Sequence, residues 1–332
     1  IKIVSHVKQF YGSNVLVVFD GYRNPLATKT ATQKQRAEKH TSSNIIFSAN
    51  DKLSCDQTSF LTNSFNKARL IDMLMIEFQN AEIECHQCLD DADYMVVNKT
   101  INTATENPNH SVMTVANDTD ILVLLIHHTN SDNVFMHYSV DEVYSISRLQ
   151  SQLPPQVKHH ILVLHAVSGC DTVSAIFNIG KSTAYTAFTQ DINLDFLNIF
   201  QSENAIQEDI SQAGEKLLLT LFKSKKCTSL DKLRYIRYVA KVTTKSITSS
   251  LFGLESLPPT SNSAKHHRFR VYHTVQQWLG CRHNAFQWGW QRINGRIKPI
   301  PMDIPVAPEN ILKIISCGCK VCGKGCKLSL IH

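Results

Sequence analysis

Short apolar runs that stop at an acid recur through the first half of the chain. Asn14–Asp20 reads NVLVVFD, a β-branched run ending in aspartate, followed by the turn-rich Gly21-Tyr22-Arg23-Asn24-Pro25. Val112–Leu125 reads VMTVANDTDILVLL, where one apolar run stops at Asn117-Asp118-Thr119-Asp120 and another begins. Both predict buried strands that present carboxylates at their carboxyl ends, where open parallel sheets place their ligands. Between them, Leu70–Phe78 predicts an amphipathic helix and Ala81–Cys85 a short strand, leading into a helix start at Leu89-Asp90-Asp91-Ala92-Asp93. Further on, Val134–Tyr138 predicts a strand and Asp141–Gln150 a helix, and Pro154-Pro155 breaks the chain. Ile161–Val167 predicts an apolar helix that ends at Ser168-Gly169-Cys170-Asp171-Thr172. This alternation is that of an α/β fold with a central parallel sheet flanked by helices.

The second half reads differently. From Asp191 to about Leu254 the pattern is helical, with apolar residues at helical spacing over Leu217–Phe222 and Leu233–Val242 among lysines and arginines. Ser256–Ser263, with Pro258-Pro259, is a linker-like break. His266–Gly289 mixes aromatics with bases; such a mixture can stack on nucleic acid, but aromatics at helical spacing are more often core. His266, His267 and His273 have no metal partners near them in the chain, and Cys85-His86-Gln87-Cys88 is read as packing. A proline-punctuated stretch follows from Pro299 to Pro308. Cys317, Cys319, Cys322 and Cys326 then form a C-x-C-x2-C-x3-C cluster that predicts zinc in a reducing compartment. These shifts set three segments, 1–190, 191–300 and 301–332.

At 332 residues and 43% hydrophobic, the chain can bury a substantial core. Its net charge of +6 is a mild bias towards polyanions. Six other cysteines are scattered, as reduced thiols of an intracellular protein are. No uninterrupted apolar stretch approaches the roughly 20 residues of a membrane span. The chain opens at Ile1-Lys2-Ile3 without methionine, and we expect an upstream strand ending in aspartate.

Asp20, Asp91, Asp93, Asp118, Asp120 and Asp171 each sit at the end of an apolar element. Taken singly they have bland readings: Asp118 caps a helix starting at Thr119, and acids in a first helical turn answer the helix dipole. Gathered together, they form a cage of hard oxygen ligands suited to Mg²⁺ or Mn²⁺, and two such ions can drive in-line displacement at a phosphodiester. Thr28–His40 carries Lys29, Lys34, Arg36 and Lys39 without an apolar stripe, either a solvated helix or a cationic segment beside the acids. Gly180-Lys181 opens another helix whose amides can meet a phosphate.

These segments resemble the XPG/flap-endonuclease (PIN-like 5′-nuclease) superfamily over about residues 14–188. VVFDGYRNPLATKTATQKQRAEK is similar to its strand and basic arch, DDADYMVV to its acidic helix start, NDTDILVLL to its paired-aspartate strand, and SGCDTVSAIFNIGKSTA to its G-x-D with helix-two-turn-helix. The whole chain also resembles a group of invertebrate proteins found with mobile elements. The first resemblance implies structure-selective hydrolysis of DNA in the nucleus, with the six aspartates on magnesium and Lys29 and Arg36 at the scissile phosphate. It also implies that Lys34, Lys39, Gly180 and Lys181 hold the nucleic acid. Aspartates stand at 91 and 93 where the family has glutamates, and the phosphate turn keeps one clear glycine. A non-catalytic, nucleic-acid-binding derivative is therefore the main alternative. Behind it come an RNA-cleaving relative of the PIN type and a sugar transferase using Asp118-x-Asp120.

Overall fold

After an amino-terminal helix α1 (Lys2–Tyr11), the β-branched run beyond Asn14 forms strand β1 (Leu16–Phe19). The computed structural model describes residues 2–21, 28–29, 42–52, 54–89, 91–190, 193–224, 226–244 and 253–305. A parallel partner needs a crossover, which is supplied by helices α2 (Gln57–Thr62) and α3 (Ser64–Asn80) before β2 (Glu84–Gln87). Asp56 accepts a hydrogen bond from Ser59 N at the start of α2, and Asn63 accepts from Phe65 N and Asn66 N at the start of α3. Leu16 then stands opposite Glu84 and Phe19 opposite Gln87 in a parallel pair. Val4, Phe78 and Ile83 form a small core around it.

Helix α4 (Asp93–Glu106) leads into β3 (Val112–Val115), α5 (Thr119–His128), β4 (Val134–Ser139) and β5 (Glu142–Ser145). The strands among the described residues do not form the expected central parallel sheet. Among the described residues the strands form three small sheets, β1-β2, β3-β4-β5 and, near the carboxyl end, a hairpin. Strand β3 shows why: Thr114 is buried while Met113 and Val115 are exposed, so it has one covered face where a central parallel strand has two. The expected helix Asp141–Gln150 is also corrected. Its first part returns antiparallel on β4, with Ser139 opposite Glu142, and only then does Ser145 cap helix α6 (Ile146–Gln152). Val143 and Tyr144 suit a strand, and the tight turn at Val140-Asp141 leaves no room for anything but a hairpin.

Helices α7 (Pro155–His159), α8 (Ile161–Val167), α9 (Lys181–Phe188), α10 (Gln207–Leu221), α11 (Leu230–Thr244) and α12 (Ser261–Trp278) follow, and then the hairpin β6 (Trp290–Ile293) and β7 (Arg296–Pro299). One apolar cluster runs from Val97 on α4 through Leu124, Leu162 and Leu217 to Tyr272 and Trp288, so segments on both sides of residue 190 share a core. The aromatic-basic stretch is the central helix of that core. On α12, Arg268 is ion-paired with Glu215, Tyr272 Oη donates to Ser202 O, and Gln276 Nε2 donates to Phe200 O. These bonds tie α12 to the segments around it, while Arg268 Nε, Gln276 Oε1 and the Nδ1 atoms of His266, His267 and His273 are buried without a hydrogen-bond partner among the described residues. His266 Nε2 lies 2.5 Å from Asp303 Oδ1. No helix among the described residues is long and apolar enough to cross a membrane. Lys34, Arg36, Lys39 and Cys317, Cys319, Cys322 and Cys326 lie outside the described residues.

Candidate metal centre

Strand β1 delivers Asp20 at its carboxyl end, and the next residue decides how near it comes to the other acids. A Cβ at Gly21 would sit 2.2 Å from the Leu89 carbonyl oxygen, so only glycine lets the two backbones run side by side. Cys88 N closes the approach by donating to Phe19 O at 2.9 Å. Asp20 thereby reaches the start of α4, where Ala92 N donates to its Oδ1 at 3.1 Å and Asp93 N donates to Asp91 Oδ1 at 3.3 Å. The first amides of a helix have no partners within the helix, and carboxylates satisfy them. One oxygen each of Asp20, Asp91 and Asp93 lies within 4.8 Å of the others.

A cation already stands among them. Lys29 Nζ is 2.7 Å from Asp91 Oδ1, 3.4 Å from Asp93 Oδ2 and 4.0 Å from Asp20 Oδ1. Burial alone lowers the pKa of this ammonium, but the charges of Asp93, Asp91 and Asp20 outweigh burial and raise it. One positive charge does not balance three negative ones. Burial first, and then the charge of Asp91, push the Asp93 carboxyl up to about 8 against the opposing pull of Lys29. The same acids, after burial, raise the Cys88 thiol to about 11, so it is a packed thiol and not a nucleophile. Sequence reasoning expects Lys29 at a phosphate; its ammonium is instead directed into the acids.

The other three aspartates stand outside that group of oxygens. Asp118 caps α5, accepting from Asp120 N at 2.8 Å, which is its bland reading. Burial raises its pKa, and the charges of Asp120 and Asp171 add to this. Asp120 has a partner that sequence reasoning misses: His165 Nε2 lies 2.6 Å from its Oδ1, with the histidine side chain 4% exposed. Burial alone would raise the Asp120 carboxyl, but the His165 hydrogen bond and the charges of His165, Lys181 and Lys29 hold it below the ordinary range. The signal was a single titratable side chain within the otherwise apolar ILVLHAV.

Lys181 Nζ donates to the carbonyls of His165 and Gly169 at 2.8 and 2.5 Å, tying α9 to the end of α8. Gly180 has an extended backbone and open space where a Cβ would lie, so nothing in the fold demands glycine there. Lys29, Asp91, Asp120 and Asp171 open on a cleft of about 570 Å³, whose remaining lining includes Trp278, Arg282 and His283 from the end of α12 and the loop after it.

The Asp93 shift carries a pH signature. Its folded pKa lies above the unfolded 3.8, so between that value and about 8 the folded protein holds a proton that the unfolded chain has lost. Without divalent ions, stability should therefore fall as pH rises from 4 towards 8; chemical denaturation at a series of pH values in EDTA measures it.

No family model matches the chain, and no curated protein matches it. Among solved structures, it is similar to the catalytic core of Rad2 in complex with DNA substrate, with 14% identity, 84% of this chain and 78% of that chain covered, and a TM-score of 0.37.

Proposed function

We propose that the chain is a divalent-metal-dependent phosphodiesterase acting on nucleic acid, of the structure-selective flap or 5′-nuclease type on DNA. The observation that carries this is the convergence of Asp20, Asp91 and Asp93 on one cation, Lys29 Nζ, at the edge of a cleft that Asp120 and Asp171 also line. The residues fit a hard divalent ion: three closely spaced carboxylates, no sulfur or imidazole among them, and a buried Asp93 that one ammonium leaves undercompensated. Asp20, Asp91 and Asp93 would hold one ion, and Asp118, Asp120 and Asp171 supply the acids for a second. When bound, the ions supply Lewis-acid activation and charge stabilisation for in-line displacement at phosphorus.

The chain's own residues divide the remaining work. His165 holds one oxygen of Asp120 and so fixes the orientation of that carboxylate. The amides of Ala92 and Asp93 hold Asp20 and Asp91. Lys29 partly neutralises the acids while no ion is bound, and its ammonium would be freed for a phosphate when one is. Nucleic acid as the substrate is supported by the order and spacing of the acidic segments and by the net charge of +6. A sugar transferase built on Asp118-x-Asp120 would leave the Asp20, Asp91 and Asp93 group without a role.

A second reading has one observation in its favour. Because Lys29 already pairs with Asp91 and Asp93 without a metal, a non-catalytic derivative could keep the fold with the lysine as a permanent, partial counter-ion. Cleavage separates the two. The full chain with Mg²⁺ should cut a labelled 5′-flap DNA, and Asp118→Ala with Asp120→Ala should abolish the cutting. Binding without cleavage favours the derivative, and cleavage unchanged in the double variant contradicts the proposal.

A further inference from the structure

The net positive charge of this chain is concentrated in one stretch of its sequence. Residues 223–244 contain Lys223, Lys225, Lys226, Lys232, Arg234, Arg237 and Lys241 against the single acid Asp231, a net of +6. The whole chain has 34 basic and 28 acidic residues, also +6, so everything outside this stretch balances at 27 and 27. Most of the stretch is helix α11, and the helix is laid down with its apolar side outward. Leu230 and Leu233 are buried, while Arg234 Nη1 donates to Pro258 O at 2.6 Å, and Arg237 and Lys241 reach Phe222 O and Ser256 Oγ. The side facing solvent carries Tyr235, Tyr238, Val239 and Val242 at the i, i+3, i+4, i+7 spacing of one helical stripe. Ile236 lies beside them, and Tyr235 is 68% exposed. Lys232, three residues before Tyr235, continues this stripe towards the start of the helix, and Lys223 and Lys226 just before α11 are exposed as well.

An apolar stripe of this kind marks a binding surface, and its basic surroundings restrict what binds. A second copy of the chain would bring the same +6 against it. Duplex nucleic acid offers phosphates but keeps its base faces stacked inside. Single-stranded nucleic acid presents flat apolar base faces and a phosphate chain together, which is what aromatic and basic side chains on one surface accommodate. We propose that the outer face of α11 binds single-stranded nucleic acid, with Tyr235 as a stacking platform and Lys226 and Lys232 on the phosphates. Choosing nucleic acid over an acidic amphipathic peptide or an anionic bilayer rests on the phosphodiesterase reading of the cleft.

The surface is separate from that cleft. Ser261 N donates to Asp231 Oδ1 at 3.0 Å, which joins α11 to the first turn of α12, whereas Thr274, Gln277 and Trp278 at the other end of α12 line the cleft. Along α12, Ser261 and Thr274 are separated by about 20 Å at 1.5 Å per residue. A strand held on α11 would thus be gripped well away from the bond to be cut.

The test uses the full chain in EDTA, so that no metal chemistry contributes, and reads fluorescence anisotropy of a labelled oligothymidylate and of a blunt duplex of the same length. The single strand should bind more tightly than the duplex. Tyr235→Ala should weaken single-strand binding about tenfold, while Tyr235→Phe retains it. Lys226→Glu with Lys232→Glu should flatten the slope of log K against log salt by about 1.4, roughly 0.7 for each lost phosphate contact. These side chains are exposed, and an unchanged circular dichroism melt shows that the variants fold. Equal binding of duplex and single strand, with Tyr235→Ala silent, overturns the proposal. So does loss of binding to phosphatidylserine vesicles, or to an acidic amphipathic peptide, in variants that still bind the oligonucleotide normally. If flap cleavage fails while this binding persists, the cleft reading falls and the α11 surface stands.

Discussion

Asp93→Asn should lower kcat/KM for Mg²⁺-dependent cleavage about 10³-fold, equivalent to about 4 kcal/mol of transition-state stabilisation, and should at the same time make the metal-free protein more stable at pH 8. Both effects have one origin. Asp93 is buried, lies 3.4 Å from Lys29 Nζ, and shares that ammonium with Asp91 and Asp20. Burial and the Asp91 charge push its carboxyl up to about 8, so keeping it ionised near that pH costs stability. An amide removes this cost, and a gain of about 1 kcal/mol is in the range of such exchanges. It also removes the ligand charge that an ion needs. Steady-state kinetics and denaturant titration on one preparation read both. A variant that loses activity and stability together would mean that Asp93 serves the fold and not the chemistry.

Lys29→Met should have the largest effect on stability. It leaves Asp20, Asp91 and Asp93 facing one another without the cation that holds them, and removing one partner of a buried ion pair costs about 3–5 kcal/mol. Mg²⁺ should restore much of the loss. Ion at about a hundredfold excess over its Kd contributes about 2.7 kcal/mol, and in the variant it need not displace an ammonium first. The thermal midpoint of Lys29→Met should therefore drop in EDTA and rise with Mg²⁺ by more than that of the wild type. Equal Mg²⁺ shifts in both proteins would show that lysine and metal do not share a position.

What could be read from the residues follows from the range over which each signal acts. The apolar run ending at Asp20 and the acid-rich start of α4 are local patterns, and the structure brings their carboxylates together. Asp118 is also local, and its capping role is the simple reading of an aspartate before a helix. His165 was hidden because its partner, Asp120, is 45 residues away and an apolar helix looks complete without it. Lys29 was legible as a base but not in its direction, since 62 residues separate it from Asp91.

Gly21 stands in a turn-rich stretch, and the pattern predicts a turn there. The reason for a glycine is the Leu89 backbone pressed against it, which no local pattern records. The strand at Glu142–Ser145 lies within a stretch whose pattern predicts helix, because four residues are too few to show a period. The hairpin at Trp290–Pro299 is a different case. Asn294-Gly295, with φ of 50° and 71°, is a strong short-range hairpin signal, and the reading of a helical region passes over it. The aromatic-basic helix α12 is core, as aromatic spacing suggests, while the helix with exposed aromatics is α11, which with the lysines just before it carries the excess charge.

The most direct measurement is anomalous diffraction from crystals of the full chain grown with Mn²⁺. If the acid group is a divalent-cation site, a manganese peak will lie among the oxygens of Asp20, Asp91 and Asp93, with the Lys29 ammonium moved out of the place it fills in the metal-free protein. Crystals grown at saturating Mn²⁺ that show no peak there, with Lys29 still paired to Asp91, would contradict that reading.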